Sequence, residues 1–508
     1  MREKAYLKGQ YAAILSSVGV ILLMAGALMV TPLLVLATHP DQAAQAPAFL
    51  FPAAGCALLG AGLWRLFRPA ADVSLSTQEG GIIVLLSWMT VIGFSAWPFV
   101  MLSELTFSRA LFEAMSGWTT TGLSVVDVTR AGPMILLWRS VMQWAGGAGL
   151  AIIMMSAIVG PTGVGLSSAE GRSEQLVPEV RRSARLVMTI YTVYVLAGSL
   201  AYWWAGMSAF DALNHAFAAV STGGFSTRPE SIGHWDSPAI EAVSVPLMLL
   251  GNLSFVTAWF LWRGKFGIVA KNGEIRLLVI VIPLATAALF LLTSRGIYSQ
   301  LGSQLGSQLG LQLGPESGKA LRVAVFETVA AVTTTGFSTV SGMHWNAFGL
   351  FLLIVLMLIG GGTCSTAGGI KQFRIYLLYK LFVWEIRRSL LPRTAVIDCS
   401  VQEGAHRVAV DDARVRQVAV FVFLYLVTYL LGVMVLCACG YDLSDALFEF
   451  ASALGTVGLS VGVTSAGMPD AALWAEIFAM FLGRLEFTVL IVSLLKLGRD
   501  SRSMLAGA

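Results

Sequence analysis

Charge is what this chain has least of. Among 508 residues only 12% are Asp, Glu, Lys or Arg, against roughly a quarter in an ordinary soluble domain. A water-soluble enzyme of this length needs far more polar surface, and disordered or coiled-coil chains need more charge still. All three are excluded. Cysteine is scarce too: Cys56, Cys364, Cys399, Cys437 and Cys439 are odd in number and scattered. Only Cys437 and Cys439 lie close together, inside an apolar run, so the five read as buried free thiols rather than a zinc or redox site. The five histidines, at 39, 215, 234, 344 and 406, form no cluster. Without a nucleophile–base pair or a His/Asp metal motif, a catalytic membrane enzyme is disfavoured. The chain is expected to be no enzyme and to carry no organic cofactor.

What the chain does hold is apolar residues, 56% of the total, with a mean hydropathy of +0.76. A helix crossing ~30 Å of hydrocarbon needs about 20 of them in a row. Ten stretches qualify, roughly 11–37, 48–67, 79–102, 133–160, 184–205, 239–262, 275–294, 346–380, 417–439 and 470–496. The expected class is an all-α polytopic membrane protein, with the lipid bilayer as partner and no nucleic acid. The first stretch is too long for a signal peptide and lacks a small-residue cleavage pattern, so it reads as a retained helix. Basic residues assign the sides. Arg2, Lys4 and Lys8 begin the chain, Arg65 and Arg68 follow the second stretch, and Arg172, Arg181, Arg182 and Arg185 precede the fifth. Arg263, Lys265, Lys271 and Arg276, then Lys380 to Arg416, then Lys496, Arg499 and Arg502 continue the series. Every second junction is basic, so both termini and these junctions are expected in the cytoplasm.

Four of the opposite, outer junctions contain a short apolar stretch followed by a turn rich in Thr, Ser and Gly. About ten apolar residues are too few to span, and read as a re-entrant segment. Irregular backbone at that depth is tolerated only inside protein or along an aqueous cavity. The stretches are FEAMSGWTTTGLSV (Phe112–Val125), NHAFAAVSTGGFST (Asn214–Thr227), FETVAAVTTTGFST (Phe326–Thr339) and FEFASALGTVGLSV (Phe448–Val461). They align without gaps on Gly122, Gly224, Gly336 and Gly458, spaced 102, 112 and 122 residues apart. Nine residues before these glycines stand Glu113, His215, Glu327 and Glu449; two after stand Ser124, Ser226, Ser338 and Ser460. The unit is span, half-helix, turn, span, four times over. It divides the chain into a two-helix extension (1–70) and pore repeats at 75–165, 180–266, 272–390 and 412–500.

The turns suit one chemistry. A dehydrating potassium ion needs replacement oxygens, and rings of backbone carbonyls from four loops supply them. Aiming successive carbonyls at one axis takes backbone conformations that glycine permits, and half-helices ending there turn their negative ends toward a cation. The candidate potassium ligands are therefore the backbone oxygens of Thr119, Thr120, Thr121 and Gly122, with Ser221, Thr222, Gly223 and Gly224 in the second copy. Thr333, Thr334, Thr335 and Gly336 follow in the third, and Gly455, Thr456, Val457 and Gly458 in the fourth. Nearby hydroxyls are expected to add oxygen ligands. Glu113, Glu327 and Glu449 have two open readings: attracting cations at the outer mouth, or bracing the half-helices through backbone hydrogen bonds. His215 is too isolated to be a ligand. The repetitive run Ser299–Gly314 reads as a flexible, functionally neutral insertion.

Further glycines interrupt the eighth stretch, in the segment Gly360, Gly361, Gly362, Thr363, Cys364, Ser365, Thr366, Ala367, Gly368, Gly369. Each glycine costs a helix interior about 1 kcal/mol relative to alanine, so five should break it. A phosphate loop is ruled out, since no Lys-Ser/Thr follows at the required spacing and no strand precedes; tight helix packing is the remaining alternative. Gly360 lies 24 residues beyond Gly336, beneath the pore. Gly146, Gly251 and Gly483 lie 24, 27 and 25 residues beyond their own filter glycines, as candidate hinges. Arg484 stands in mid-span, and an intramembrane charge is by default functional. Glu486, two residues on, does not face it.

The fourfold arrangement with TTTG, STGG, TTTG and GTVG turns resembles the Trk/Ktr/HKT superfamily of potassium transporters over residues ~75–498. The two extra N-terminal spans are similar to its bacterial TrkH branch. The resemblance implies a pseudo-fourfold central pore and identifies Gly360–Gly369 with the family's intramembrane gating loop. It places Arg484 below the filter as an electrostatic barrier. In sodium-selective plant relatives serine replaces the first filter glycine; Gly122 here argues for potassium. Gly223 departs from the threonine of copies one and three. The resemblance further implies a homodimer in the bacterial inner membrane and a TrkA-like cytoplasmic ring of nucleotide-binding subunits. Proton- or sodium-coupled symport, or sodium conduction, remain alternatives.

Overall fold

Each repeat begins with a long apolar helix, and the second, third and fourth end with a broken one. The computed structural model describes residues 2–68, 75–149, 180–309, 316–340, 345–392, 399–403, 406–485 and 487–505. Among these residues, six helices are long and apolar enough to cross a membrane. Two belong to the N-terminal extension, Arg2–Met29 and Pro47–Leu66; the others open the repeats, at Thr77–Ser95 (continued by Trp97–Leu102), Val180–Trp204, Gly273–Leu309 and Asp412–Ala438. The half-helices follow, at Phe107–Trp118, Ala209–Val220, Glu316–Val332 and Leu443–Gly455.

The helices after the turns differ from the ten simple spans expected. The second repeat has Pro238–Asn252 and Phe255–Trp262, bent by 116°; the fourth has Asp470–Arg484 and Phe487–Leu505, bent by 102°. In the third, Ala347–Ile359 and Gln372–Ser389 are separated by the glycine-rich loop. In the first, Pro133–Gly147 ends where description stops, and 150–160 lie outside the described residues. Hydropathy averaged over a window does not register such breaks, because the few polar residues at each bend (Asn252 and Ser254, Arg484 and Glu486) are outweighed by the long apolar helices on either side.

Packing follows the membrane rule of small residues at crossings. In the extension, a Cβ on Gly19 would meet the Gly60 carbonyl at 2.6 Å, and one on Gly60 the Gly19 carbonyl at 2.7 Å. Large apolar side chains such as Leu58, Trp204, Leu284 and Phe423 face outward, where a soluble protein places charge. Buried polar groups concentrate at the four turns. A small antiparallel hairpin, Ser400–Glu403 with His406–Ala409, links the third and fourth repeats and was not foreseen. The Ser299–Gly314 run is helical to Leu309; 310–315 lie outside the described residues.

Candidate functional site

All four half-helices end alike. The N–H five residues on closes back onto the helix: Thr121 to Ser116 O, Gly223 to Ala218 O, Thr335 to Ala330 O and Val457 to Ser452 O, at 2.8–2.9 Å. This wide turn carries a left-handed residue, ordinarily glycine. Here it is threonine each time, with φ of 56° at Thr120, 51° at Thr222, 53° at Thr334 and 49° at Thr456. Two residues later φ is positive again, 98°, 71°, 73° and 100° at Gly122, Gly224, Gly336 and Gly458. Conformations of opposite hand thus alternate along the segment. An ordinary strand sends successive carbonyls to opposite sides; this alternation turns them to the same side.

The glycines close a ring. A Cβ added to Gly122 would strike the carbonyl oxygen of Gly223; on Gly224, that of Thr335; on Gly336, that of Val457; and on Gly458, that of Thr121. Each repeat touches the next and the fourth returns to the first. The struck carbonyl always belongs to the residue before the next filter glycine. Outside this ring a cavity of about 490 Å³ opens, lined by the four glycines and by Ser124, Ser226, Ser338 and Ser460.

The glutamates nine residues before the glycines are buried, and Glu327 also borders the outer cavity. Glu113 accepts from the Ser124 hydroxyl (3.0 Å) and the Val125 N–H (3.0 Å). Glu327 accepts from Ser338 (3.2 Å) and the Thr339 N–H (2.8 Å), and Glu449 from Ser460 (2.7 Å) and the Val461 N–H (2.9 Å). In the second repeat His215 Nδ1 faces the Asp211 carbonyl, so Nε2 is left to accept from the Ser226 hydroxyl at 2.9 Å. Each half-helix thereby holds the outgoing strand like a strut. The serine hydroxyls take part in this bracing: each also accepts an N–H two residues on.

Residues not foreseen complete the frame. Arg139 is buried, donates to Glu113 at 2.7 Å and to the Ser226 carbonyl at 3.0 Å, and so ties the first repeat to the second. Gln143 explains the departure at Gly223. Its amide donates to the Gly223 carbonyl at 2.5 Å and accepts the Phe225 N–H at 3.1 Å, filling the space where a side chain at 223 would stand. In copies one and three that space belongs to threonine pairs, Thr119 with Thr121 and Thr333 with Thr335, each 2.8 Å apart. Arg139 and Gln143 are polar residues inside an apolar stretch, which is the signal that marks them.

Beneath the ring lies the glycine-rich loop, with left-handed Gly360, Cys364, Gly369 and Lys371. It touches the filter threonines from below: the Gly368 N–H donates to Thr334 Oγ1 at 2.9 Å, and Thr222 and Thr366 share a hydroxyl contact at 3.0 Å. The break in the second repeat anchors it. Thr366 Oγ1 donates to Gly251 O (2.9 Å), the Phe255 N–H to Cys364 O (3.1 Å), and the Gly362 N–H to Asn252 Oδ1 (3.1 Å). Glu274 accepts the Thr363 N–H at 2.7 Å, and Lys371 Nζ donates to the Ala367 carbonyl. Arg484 links the third and first repeats, donating to Thr366 O at 2.5 Å and Gly146 O at 2.7 Å. Glu486 lies outside the described residues. Gly251 and Gly483 occupy the last turns before their breaks, and Gly146 the last turn of Pro133–Gly147. A Cβ there would strike Trp118 O, Val220 O and Leu454 O, the carbonyl four residues before each filter glycine. Close approach to the half-helix requires glycine at these places. Among the described residues, no group of three or more His, Cys, Asp or Glu is arranged to hold a metal ion.

Residues 46–503 match the TrkH family, described as cation transport protein. The Trk system potassium uptake protein TrkH of Halomonas elongata is 32% identical over 493 residues, covering 94% of this chain and 97% of that one. Its counterpart in Escherichia coli K12 is 30% identical over 497 residues, covering 95% and 98%. The crystal structure of the potassium transporter TrkH from Vibrio parahaemolyticus superposes with a TM-score of 0.79 at 27% identity, over 96% of this chain and 98% of that one.

Proposed function

The chain belongs to the TrkH family of cation transport proteins, and from that premise we propose that it takes up potassium through a carbonyl-lined filter on its pseudo-fourfold axis. One observation carries the reading: four filter glycines, each pressed against the carbonyl before the next repeat's glycine, in a closed ring. Oxygens at Thr119–Gly122, Ser221–Gly224, Thr333–Gly336 and Gly455–Gly458 replace the water shell of the ion. Any side chain on the ring glycines would displace a coordinating carbonyl.

The loop Gly360–Gly369 is the gate in this reading. It lies directly under the filter threonines and is latched to the second-repeat break, and Arg484 adds a positive charge to the same obstruction. Opening means releasing those latches, with Gly146, Gly251 and Gly483 as the points where the broken helices pivot. The chain acts as a homodimer in the bacterial inner membrane with both termini inside. A TrkA-like nucleotide-binding ring docks on the basic cytoplasmic face and controls the loop. Alternation of basic junctions and the names of the relatives, which place them in a Trk system, support this assembly.

Flux of potassium, rubidium, sodium and lithium in proteoliposomes tests the proposal. Potassium and rubidium should pass well ahead of sodium and lithium; a sodium preference contradicts the filter. Running the assay with and without a proton gradient separates a passive route from coupled symport.

A further inference from the structure

The fourth repeat holds two buried carboxyl groups on one hydrogen-bond chain. Glu449, in the half-helix, accepts from Ser460 Oγ, from the Val461 N–H, and from both the N–H and hydroxyl of Thr464. Glu476, in the helix Asp470–Arg484, has no protein donor of its own among the described residues. Its Oε2 lies 3.0 Å from that same Thr464 hydroxyl, and its Oε1 has no hydrogen-bond partner. Neither glutamate exposes any surface.

A hydroxyl has one proton to donate, so Thr464 cannot satisfy both carboxyls. Two buried carboxylates sharing one donor combine desolvation with like-charge repulsion, and one of them keeps its proton. Glu449, with four donors, is built to be ionised. Glu476 is not. The chain closes when Glu476 Oε2–H donates to Thr464 Oγ and Thr464 Oγ–H donates to Glu449. We propose that Glu476 is a proton-binding site built into the frame of the fourth filter turn. Its proton exchanges with the outside through Thr464, Glu449 and Ser460, the last of which lines the outer cavity.

No described cation forms an ion pair with Glu476. Of the elements packed on its helix, the half-helix contributes Glu449, and the turn before that half-helix contributes Tyr441, close enough to feel its charge. The first half-helix contributes Glu113, already paired with Arg139. The helix Asp412–Ala438 contributes Tyr425 and Tyr429, the latter donating to Leu447 O, and Phe487–Leu505 contributes Lys496, held by Glu79 and Asp500. Loss of the proton leaves two negative charges about one hydroxyl and slackens the strut on Ser460–Thr464. The transport consequence rests on the filter reading; the proton itself does not.

Infrared difference spectra of wild type minus Glu476→Gln in proteoliposomes test it, because a protonated buried carboxyl has its own C=O band. That band should be present at neutral pH, and it should vanish on alkaline titration together with a several-fold fall in rubidium uptake. In E476Q the ratio of neutral to alkaline uptake should approach one. No difference band overturns the proton site. A persisting band with an unchanged alkaline fall in E476Q overturns its link to transport. Thr464→Val guards against misfolding of the first variant: it keeps both carboxyls but removes the acceptor, so the band should shift, and an unshifted band contradicts the relay.

Discussion

Threonine in a left-handed conformation is costly, of order 1–3 kcal/mol, yet the chain places one at the same point in all four turns. Glycine would relieve the backbone but remove the hydroxyls that meet the loop at Thr366 and Gly368. Strain at these residues therefore goes with contact between the turns and the glycine-rich loop. The struts are the other residue-scale device. Replacing Arg139 with Met leaves Glu113 buried beside only its strand donors. Stranding one member of a buried pair costs about 3–5 kcal/mol, which thermal unfolding of the purified protein should register as a large loss. Adding Glu113→Gln should recover part of it; an R139M protein as stable as wild type means the pair contributes nothing. Gln143→Ala frees the Gly223 carbonyl and the Phe225 N–H, and we expect weakened discrimination between potassium and sodium with uptake retained. Equal selectivity in the variant would argue that this amide is packing alone.

Elements differ in how far sequence reveals them. The four turns are legible because their positive φ and close backbone approach demand glycine at Gly122, Gly224, Gly336 and Gly458, and four in-register copies leave a pattern. Struts were half legible: Glu113, Glu327 and Glu449 stand in register, but which way they point depends on strands that double back onto them. The loop was visible through its glycines, and its anchors were not, since Asn252 reaches Gly362 across 110 residues of chain and no local pattern encodes that meeting. Breaks in the second and fourth repeats fall just past the candidate hinges Gly251 and Gly483, but their sharpness was not legible, since a few polar residues vanish in the average of the apolar helices around them. At this scale the loop makes the prediction. Deleting part of Gly360–Gly369 removes the latches and should raise uptake in proteoliposomes. Arg484→Ala should act in the same direction by removing a cation and two hydrogen bonds to Thr366 and Gly146. Unaltered flux in both variants would leave the loop as a packing device.

For the whole molecule, low charge and high hydropathy are the signature of the bilayer, while the glycines set how the bilayer-spanning part packs. They serve three separate needs: crossings in the N-terminal extension, the ring on the axis, and the close seats of the broken helices against the half-helices. The ring is the centre of the account. Gly122→Ser puts a side chain against the Gly223 carbonyl, where the first repeat meets the second in the ring. The measurement is the ratio of potassium to sodium flux in proteoliposomes for wild type and G122S at matched protein density. The account predicts a sharp fall in that ratio in the variant, with sodium now passing. An unchanged ratio in a folded, conducting G122S protein would contradict it.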